Sequence, residues 1–170
     1  MLTIRDITID DAAAFLDLCL TLDHETPFMM YEPGERTTTI DQQRGIIAAV
    51  IASPNSTIIV ADAVEQLAGY VSATGGEFNR IHHSAYIVAG VRKSYAGQGV
   101  GTRLFSALDM WASANTVRRL ELTVRVDNAP AIRLYKGMGY EIEGTKRQSL
   151  HVAGDFIDEL YMAKLFDQSA

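Results

Sequence analysis

The sequence predicts a mixed α/β fold on two observations. The stretch Tyr86–Trp111 reads as strand, glycine loop and helix: Tyr86–Val91 is rich in β-branched and aromatic residues, Gly97, Gly99 and Gly101 alternate, and Val100, Leu104, Leu108 and Trp111 recur at helical spacing. Around it, runs suited to strands are interleaved with apolar stripes suited to helices. With 170 residues, 48% of them hydrophobic, a single domain over residues 1–170 suffices. A chain of this length buries about two-thirds of its unfolded surface.

The elements follow in order. Leu2, Ile4 and Ile7 open a short strand, and Asp10 or Asp11 caps a helix whose apolar positions include Phe15, Leu18, Cys19 and Leu22. Cys19 on that stripe reads as a small core residue, because the sequence announces no base beside it to activate a thiol. Periodicity breaks from Thr26 to Arg36, yet this loop is apolar and aromatic; Phe28, Met29 and Tyr31 read either as a substrate wall or as cover for the core. Thr39 or Asp41 caps the next helix, through Ile46, Ile47, Val50 and Ile51, and Pro54 ends it. Thr57–Ala61 and Leu67–Ala73 form a hairpin, and Gly75 and Gly76 turn the chain toward the Tyr86 strand. His82 and His83 stand at the head of that strand and point to opposite faces, which argues against a shared metal.

Beyond the glycine-loop helix, Leu120, Leu122, Val124 and Val126 alternate as one face of a strand, with Glu121, Thr123 and Arg125 on the other. Asn128 caps a short helix that tolerates Pro130 in its first turn and stops at Gly137 and Gly139. Asn128, Ala131 and Tyr135 fall at i, i+3 and i+7, one face along which a long thin ligand could lie. Tyr140–Leu150 and Phe156–Phe166 finish the chain as two antiparallel strands, whose exposed edges could pair in a homodimer.

Composition removes several classes. Fifteen Lys and Arg against 21 Asp and Glu leave a net charge of −6, the wrong sign for gripping a nucleic-acid backbone. The longest apolar run, Ile46–Ala52, is too short to span a bilayer, and Met1–Arg5 leads into strand-like sequence without a signal core, so a cytoplasmic protein without a membrane partner is expected. Cys19 is the only cysteine, which excludes an internal disulfide or a cysteine cluster for a metal.

The glycine loop carries the chemistry. Its helix starts with no Ser, Asp or Asn to cap it, so the first backbone N–H groups lack an obvious partner. Glycines admit an anion to bare backbone and the helix dipole favours negative charge, making a phosphate or pyrophosphate the natural guest; a tight strand-to-helix turn is the plainer alternative. A P-loop would need Gly-Lys-Ser/Thr where Gly101-Thr102-Arg103 stands, and the dinucleotide fingerprint spaces its last glycine differently. Ala96-Gly97-Gln98-Gly99-Val100-Gly101 instead resembles the acyl-CoA loop of the GNAT N-acetyltransferases, Q/R-x-x-G-x-G/A, with Ala96 in place of Gln or Arg. Asn128, Ala131, Tyr135, Gly139 and Tyr140 likewise resemble the family's second signature, N-x-x-A-x-x-x-Y-x-x-x-G-F/Y, and the ending around Gly154–Met162 is similar to the branch holding bacterial L-amino acid N-acetyltransferases.

The resemblance implies a central mixed, mostly antiparallel sheet flanked by helices and an enzyme that uses acetyl-CoA, without a metal, to acetylate a primary amine of a small molecule such as an amino acid. It implies pantetheine contacts at Ala89, Val91, Asn128 and Ala131, and pyrophosphate on the backbone from Ala96 through Gly97, Gln98, Gly99, Val100 and Gly101 to Thr102. Tyr135 would donate a proton to the departing thiolate. The incoming ammonium must lose a proton before it attacks, and Glu121 is the first choice of base, His82 another, although relatives use a position matching Thr123 or Tyr86. Two rivals remain open: a protein N-terminal or lysine acetyltransferase, and a module that binds acyl-CoA without turnover.

Overall fold

The computed structural model describes residues 1–167. The elements run β1 (Thr3–Asp6), α1 (Ala12–Glu25), α2 (Ile40–Ala52), β2 (Thr57–Asp62), β3 (Leu67–Gly75), β4 (Ser84–Val91), α3 (Val100–Ala114), β5 (Arg119–Arg125), α4 (Ala129–Gly137), β6 (Glu141–Val152) and β7 (Asp155–Leu165). The strands form one sheet in the order β1-β2-β3-β4-β5-β7-β6, antiparallel throughout except between β4 and β5.

Side-chain caps start the helices where the sequence offers them. Thr8 and Asp11 close a capping box ahead of α1, and Thr39 and Gln42 close another at α2. Asn128 accepts from the Ala131 N–H at 3.3 Å to start α4. The apolar stripe of α1, with Ile47 of α2, packs on Ile58, Val60 and Tyr70 on one face of the sheet. Val100, Leu104, Phe105 and Leu108 of α3 pack on Ile59, Val71, Ile87, Leu120 and Leu122 on the other. The first layer covers only the β1–β3 half, so the same face of β4–β7 is left open, with Tyr86 41% and Tyr161 45% exposed.

Two sequence expectations shift and a third holds. β5 ends at Arg125, and Val126 lies exposed in the following turn instead of in the buried row. His82 and His83 sit in an exposed turn before β4, because β4 starts at Ser84. Cys19 is a buried core residue as expected, and burial pushes its thiol up to about 11, so it stays protonated.

β4 and β5 pair only from Ser84 to Tyr86 against Arg119 to Glu121. Beyond that, β4 keeps its partner β3 up to Val91 while β5 keeps its partner β7 up to Arg125. The two parallel strands therefore part, and a cleft opens in the middle of the sheet.

Candidate active site

The phase of the ladder shows what lines this cleft. The Ser84 carbonyl accepts from Gly76 and the Arg92 N–H donates to Ala68, both on the β3 side, while the His83 carbonyl accepts from Arg118 and Arg119 on the β5 side. Peptide groups alternate along an antiparallel strand, so those of Ala89 and Val91 point away from β3 into the cleft. Both residues are half-buried and lie past the last β4–β5 pair. They present a free strand edge, as expected for residues that pair with an extended ligand.

The glycine loop stands at the end of that edge. Gly97 and Gly99 adopt φ of +73° and +77°, the left-handed region that glycine enters without strain, and a Cβ on either would meet nothing within 4 Å. The first helical bond of α3 is Arg103 N–H to the Gly99 carbonyl at 3.1 Å. Among the described residues no partner serves the N–H groups of Gly97, Gln98, Gly99, Val100, Gly101 and Thr102. Six donors at the positive end of a helix dipole make an anion cradle. Two expectations need correction here. The Ala96 N–H already bonds the Lys93 carbonyl at 3.2 Å and is not a free donor. Gly101 lacks a side chain for packing rather than for ligand approach, since a Cβ there would lie 2.9 Å from a Leu134 methyl of α4.

Sequence reasoning missed the anchor of this loop. Arg92, the first residue after β4, is 7% exposed and reaches inward to the Leu67 carbonyl at 2.8 Å, Thr21 at 3.0 Å and Asp17 at 2.6 Å. The next N–H, of Lys93, donates to Glu25 at 2.8 Å, so α1 fixes the root of the cradle. Only a partner far away in sequence reveals such a role.

Asn128 and Tyr135 approach the cleft from the β5 side. The Asn128 side-chain oxygen is occupied by its cap, which leaves the amide NH2 free to donate. Tyr135 is half-buried, its ring 5.4 Å from Phe105 and 6.0 Å from Tyr140, and its hydroxyl has no hydrogen-bond partner among the described residues. Burial first, then the nearby Tyr86 hydroxyl, push its pKa up to about 12. The group is thus a persistent donor and a reluctant acid.

The closed end of the cleft is polar. Tyr86 and Thr123 bond through their hydroxyls at 2.7 Å just where β4 and β5 separate. Beside them a depression of about 230 Å³ is lined by Tyr86, Arg119, Glu121, Thr123, Glu143 and Tyr161. Glu121 faces this depression, as expected, but its carboxylate accepts from Arg119 at 2.5 Å, and Arg119 also holds Glu143. His82, by contrast, precedes the closed end of β4, away from the opening.

The loop between α1 and α2 overhangs the open lip. The Arg36 guanidinium grips the buried Asp23 at 2.6 and 3.0 Å and lies 4.4 Å from the Tyr31 ring. Arg125 donates to the Pro27 carbonyl at 3.0 Å and lies 4.9 Å from the Phe28 ring. Phe28 and Tyr31 are exposed toward solvent, whereas Met29 packs against the core under α1 and α2. Phe28 and Tyr31 remain candidates for an acceptor wall; Met29 covers the core.

A sheet split between parallel neighbours, with unpaired amides at one lip, is a shape suited to a long phosphate-tailed ligand in extended form. Residues 18–140 match the acetyltransferase (GNAT) family. The chain belongs to that family. It is 41% identical over 76 residues to the L-amino acid N-acetyltransferase AaaT of Escherichia coli, over 44% of this chain and 47% of that protein. It is 30% identical over 105 residues to the N-alpha-acetyltransferase RimI of Mycobacterium tuberculosis, over 61% of this chain and 64% of that protein. The aligned part thus spans from about half to just under two-thirds of these curated relatives. The solved structure of a GNAT-family acetyltransferase from Streptococcus pneumoniae superposes with a TM-score of 0.95 at 28% identity, over 98% of this chain and all of that one.

Proposed function

We propose that this protein is an N-acetyltransferase that passes the acetyl group of acetyl-CoA directly to the primary amine of a small molecule such as an amino acid. The observation that carries the reading is the split between β4 and β5, with the unpaired loop amides at one lip and the unpartnered Tyr135 hydroxyl facing it. The pyrophosphate rests on Gly97 to Thr102, and the pantetheine arm completes the edge of β4 at Ala89 and Val91 while Asn128 donates to it from the other side. Similarity to AaaT supports an amino acid as acceptor.

The chemistry balances without an acyl-enzyme. The neutral amine nitrogen attacks the thioester carbon, the carbon–sulfur bond breaks, and the sulfur leaves as a thiolate. The Val91 N–H, aimed into the cleft, polarises the thioester oxygen. Tyr135 donates a hydrogen bond to the thiolate; with its pKa at about 12, stabilising that charge is its larger role, above outright proton transfer. The proton shed by the amine passes through water to Glu121, the carboxylate at the closed end. Holding amine and thioester in attack geometry supplies much of the rate, because it removes the entropy cost of a bimolecular encounter.

A thiol-release screen with acetyl-CoA against free amino acids, polyamines, aminoglycosides and short peptides tests the reading. Release with one or more free amines is expected. A peptide that outruns every small amine would favour a protein acceptor, for which the similarity to RimI and the open face of β4–β7 argue. CoA binding without release on any amine would reduce the protein to a binding module.

A further inference from the structure

Arg119 and Arg125 lie on the same face of β5, at opposite ends, and spend their donors differently. Arg119 gives Nε to Glu121 and both terminal nitrogens, Nη1 and Nη2, to the two oxygens of Glu143. One guanidinium here serves two carboxylates. Arg125 gives Nε and Nη2 to the oxygens of Asp127, at 2.9 and 2.6 Å, and Nη1 to the Pro27 carbonyl. A guanidinium carries five N–H bonds. One on Nη1 and one on Nη2 therefore remain without a partner among the described residues, and where Arg119 serves two carboxylates Arg125 serves one.

Those two donors are unfilled on a side chain that is only 10% exposed. Leaving donors unfilled where water has little access is costly, so they mark a place for a ligand acceptor. The guanidinium is rigidly mounted between Asp127, Pro27 and Phe28. It also belongs to the strand face that borders the cleft: Thr123, two residues earlier on that face and roughly 6.5 Å back along the strand, meets Tyr86 where β4 and β5 part.

We propose that the two free donors of Arg125 hold the carboxylate of the acceptor, so that the amines this protein acetylates are amino acids with a free carboxyl group. The inference rests on the acetyl-transfer reading above and narrows it. Arg125 becomes a specificity residue, and its contacts to Asp127 and Pro27 keep the fork aimed. A planar fork matches a carboxylate in a way a lysine ammonium does not.

The test uses thiol release by the full chain with the twenty proteinogenic L-amino acids and their carboxamides, for the wild type, Arg125→Gln and Arg125→Lys. Each accepted acid should exceed its amide in kcat/KM by about tenfold or more, because the amide removes the charge that the fork pairs with. Arg125→Gln should erase that preference by raising KM for the acid alone, and Arg125→Lys should restore only part of it. Equal rates for acid and amide in the wild type would overturn the proposal without any variant. Equal losses on acid and amide in Arg125→Gln would also overturn it, leaving Arg125 as a staple for the Pro27–Phe28 loop. Turnover of spermidine or peptides with no amino acid accepted would sink the carboxylate role while acetyl transfer stands. Silence with every amine would sink both.

Discussion

The two walls of the cleft are made of different material. On the β4 side the ligand-facing groups are backbone: the edge at Ala89 and Val91 and the N–H groups from Gly97 to Thr102. On the β5 side they are side chains: Thr123 bonded to Tyr86 of β4 at the closed end, Arg119 between two glutamates, Arg125 on Asp127 and Phe28. A backbone wall recognises a generic shape and tolerates drift in sequence, whereas a side-chain wall changes its guest with a single substitution. In the reaction proposed above, the constant partner, CoA, is assigned to the first wall and the variable partner, the acceptor, to the second.

The largest expected effect breaks the side-chain wall. Asp23 is 1% exposed at its side chain and Arg36 is its only partner among the described residues, so Arg36→Met strands a buried carboxylate. A loss of about 3–5 kcal/mol is expected in chemical denaturation, and Asp23→Leu in the same chain should recover much of it. The surviving folded protein should bind acetyl-CoA within about twofold of wild type while KM for the acceptor rises. If CoA affinity drops with it, the walls are not independent.

Next comes Tyr135→Phe, at the junction of the two walls. Loss of the hydroxyl proposed to meet the thiolate should lower kcat by about a hundredfold, with acetyl-CoA affinity within about twofold. The ring contacts to Phe105 and Tyr140 survive in Phe, so packing is not at issue. Turnover close to wild type would remove Tyr135 from the mechanism.

Gly99→Val then tests the backbone wall directly. Valine at φ of +77° is strained, and its branches would project into space that is open now. Acetyl-CoA affinity measured by calorimetry should fall by about tenfold or more. Gly101→Ala makes the contrast, because its clash is with Leu134, so it should cost stability first. Unchanged CoA affinity in Gly99→Val would contradict the cradle.

This division also explains what could be read from the sequence. Glycine spacing, helix caps and strand alternation are local, so the strand–loop–helix unit, the Asn128 cap and the face shared by Ala131 and Tyr135 were all legible. The fate of each arginine was not. Arg36, Arg92 and Arg125 meet partners 13, 75 and 98 residues away, and nothing near them in the chain announces Asp23, Asp17 or Pro27. The split between β4 and β5 was equally hidden, since both strands alternate as ordinary paired strands do. For Met29 the sequence left both readings open, because an apolar loop residue looks the same whether it faces a pocket or the core.

The smallest expected effect concerns pH and separates the walls once more. Burial raises Tyr135 to about 12, so its hydroxyl is protonated below that pH and ionises only above it. As a donor to the thiolate it should therefore lose nothing as pH rises through the neutral and mildly alkaline range. The backbone amides of the other wall do not titrate at all. Any limb in the kcat profile between about pH 6 and 10 must then come from the acceptor side, through its amine, and should persist in the residual activity of Tyr135→Phe. A limb that vanished in that variant would mean that the hydroxyl ionises far below 12 and that water reaches it, which would make Tyr135 the proton donor rather than a fixed partner for the sulfur.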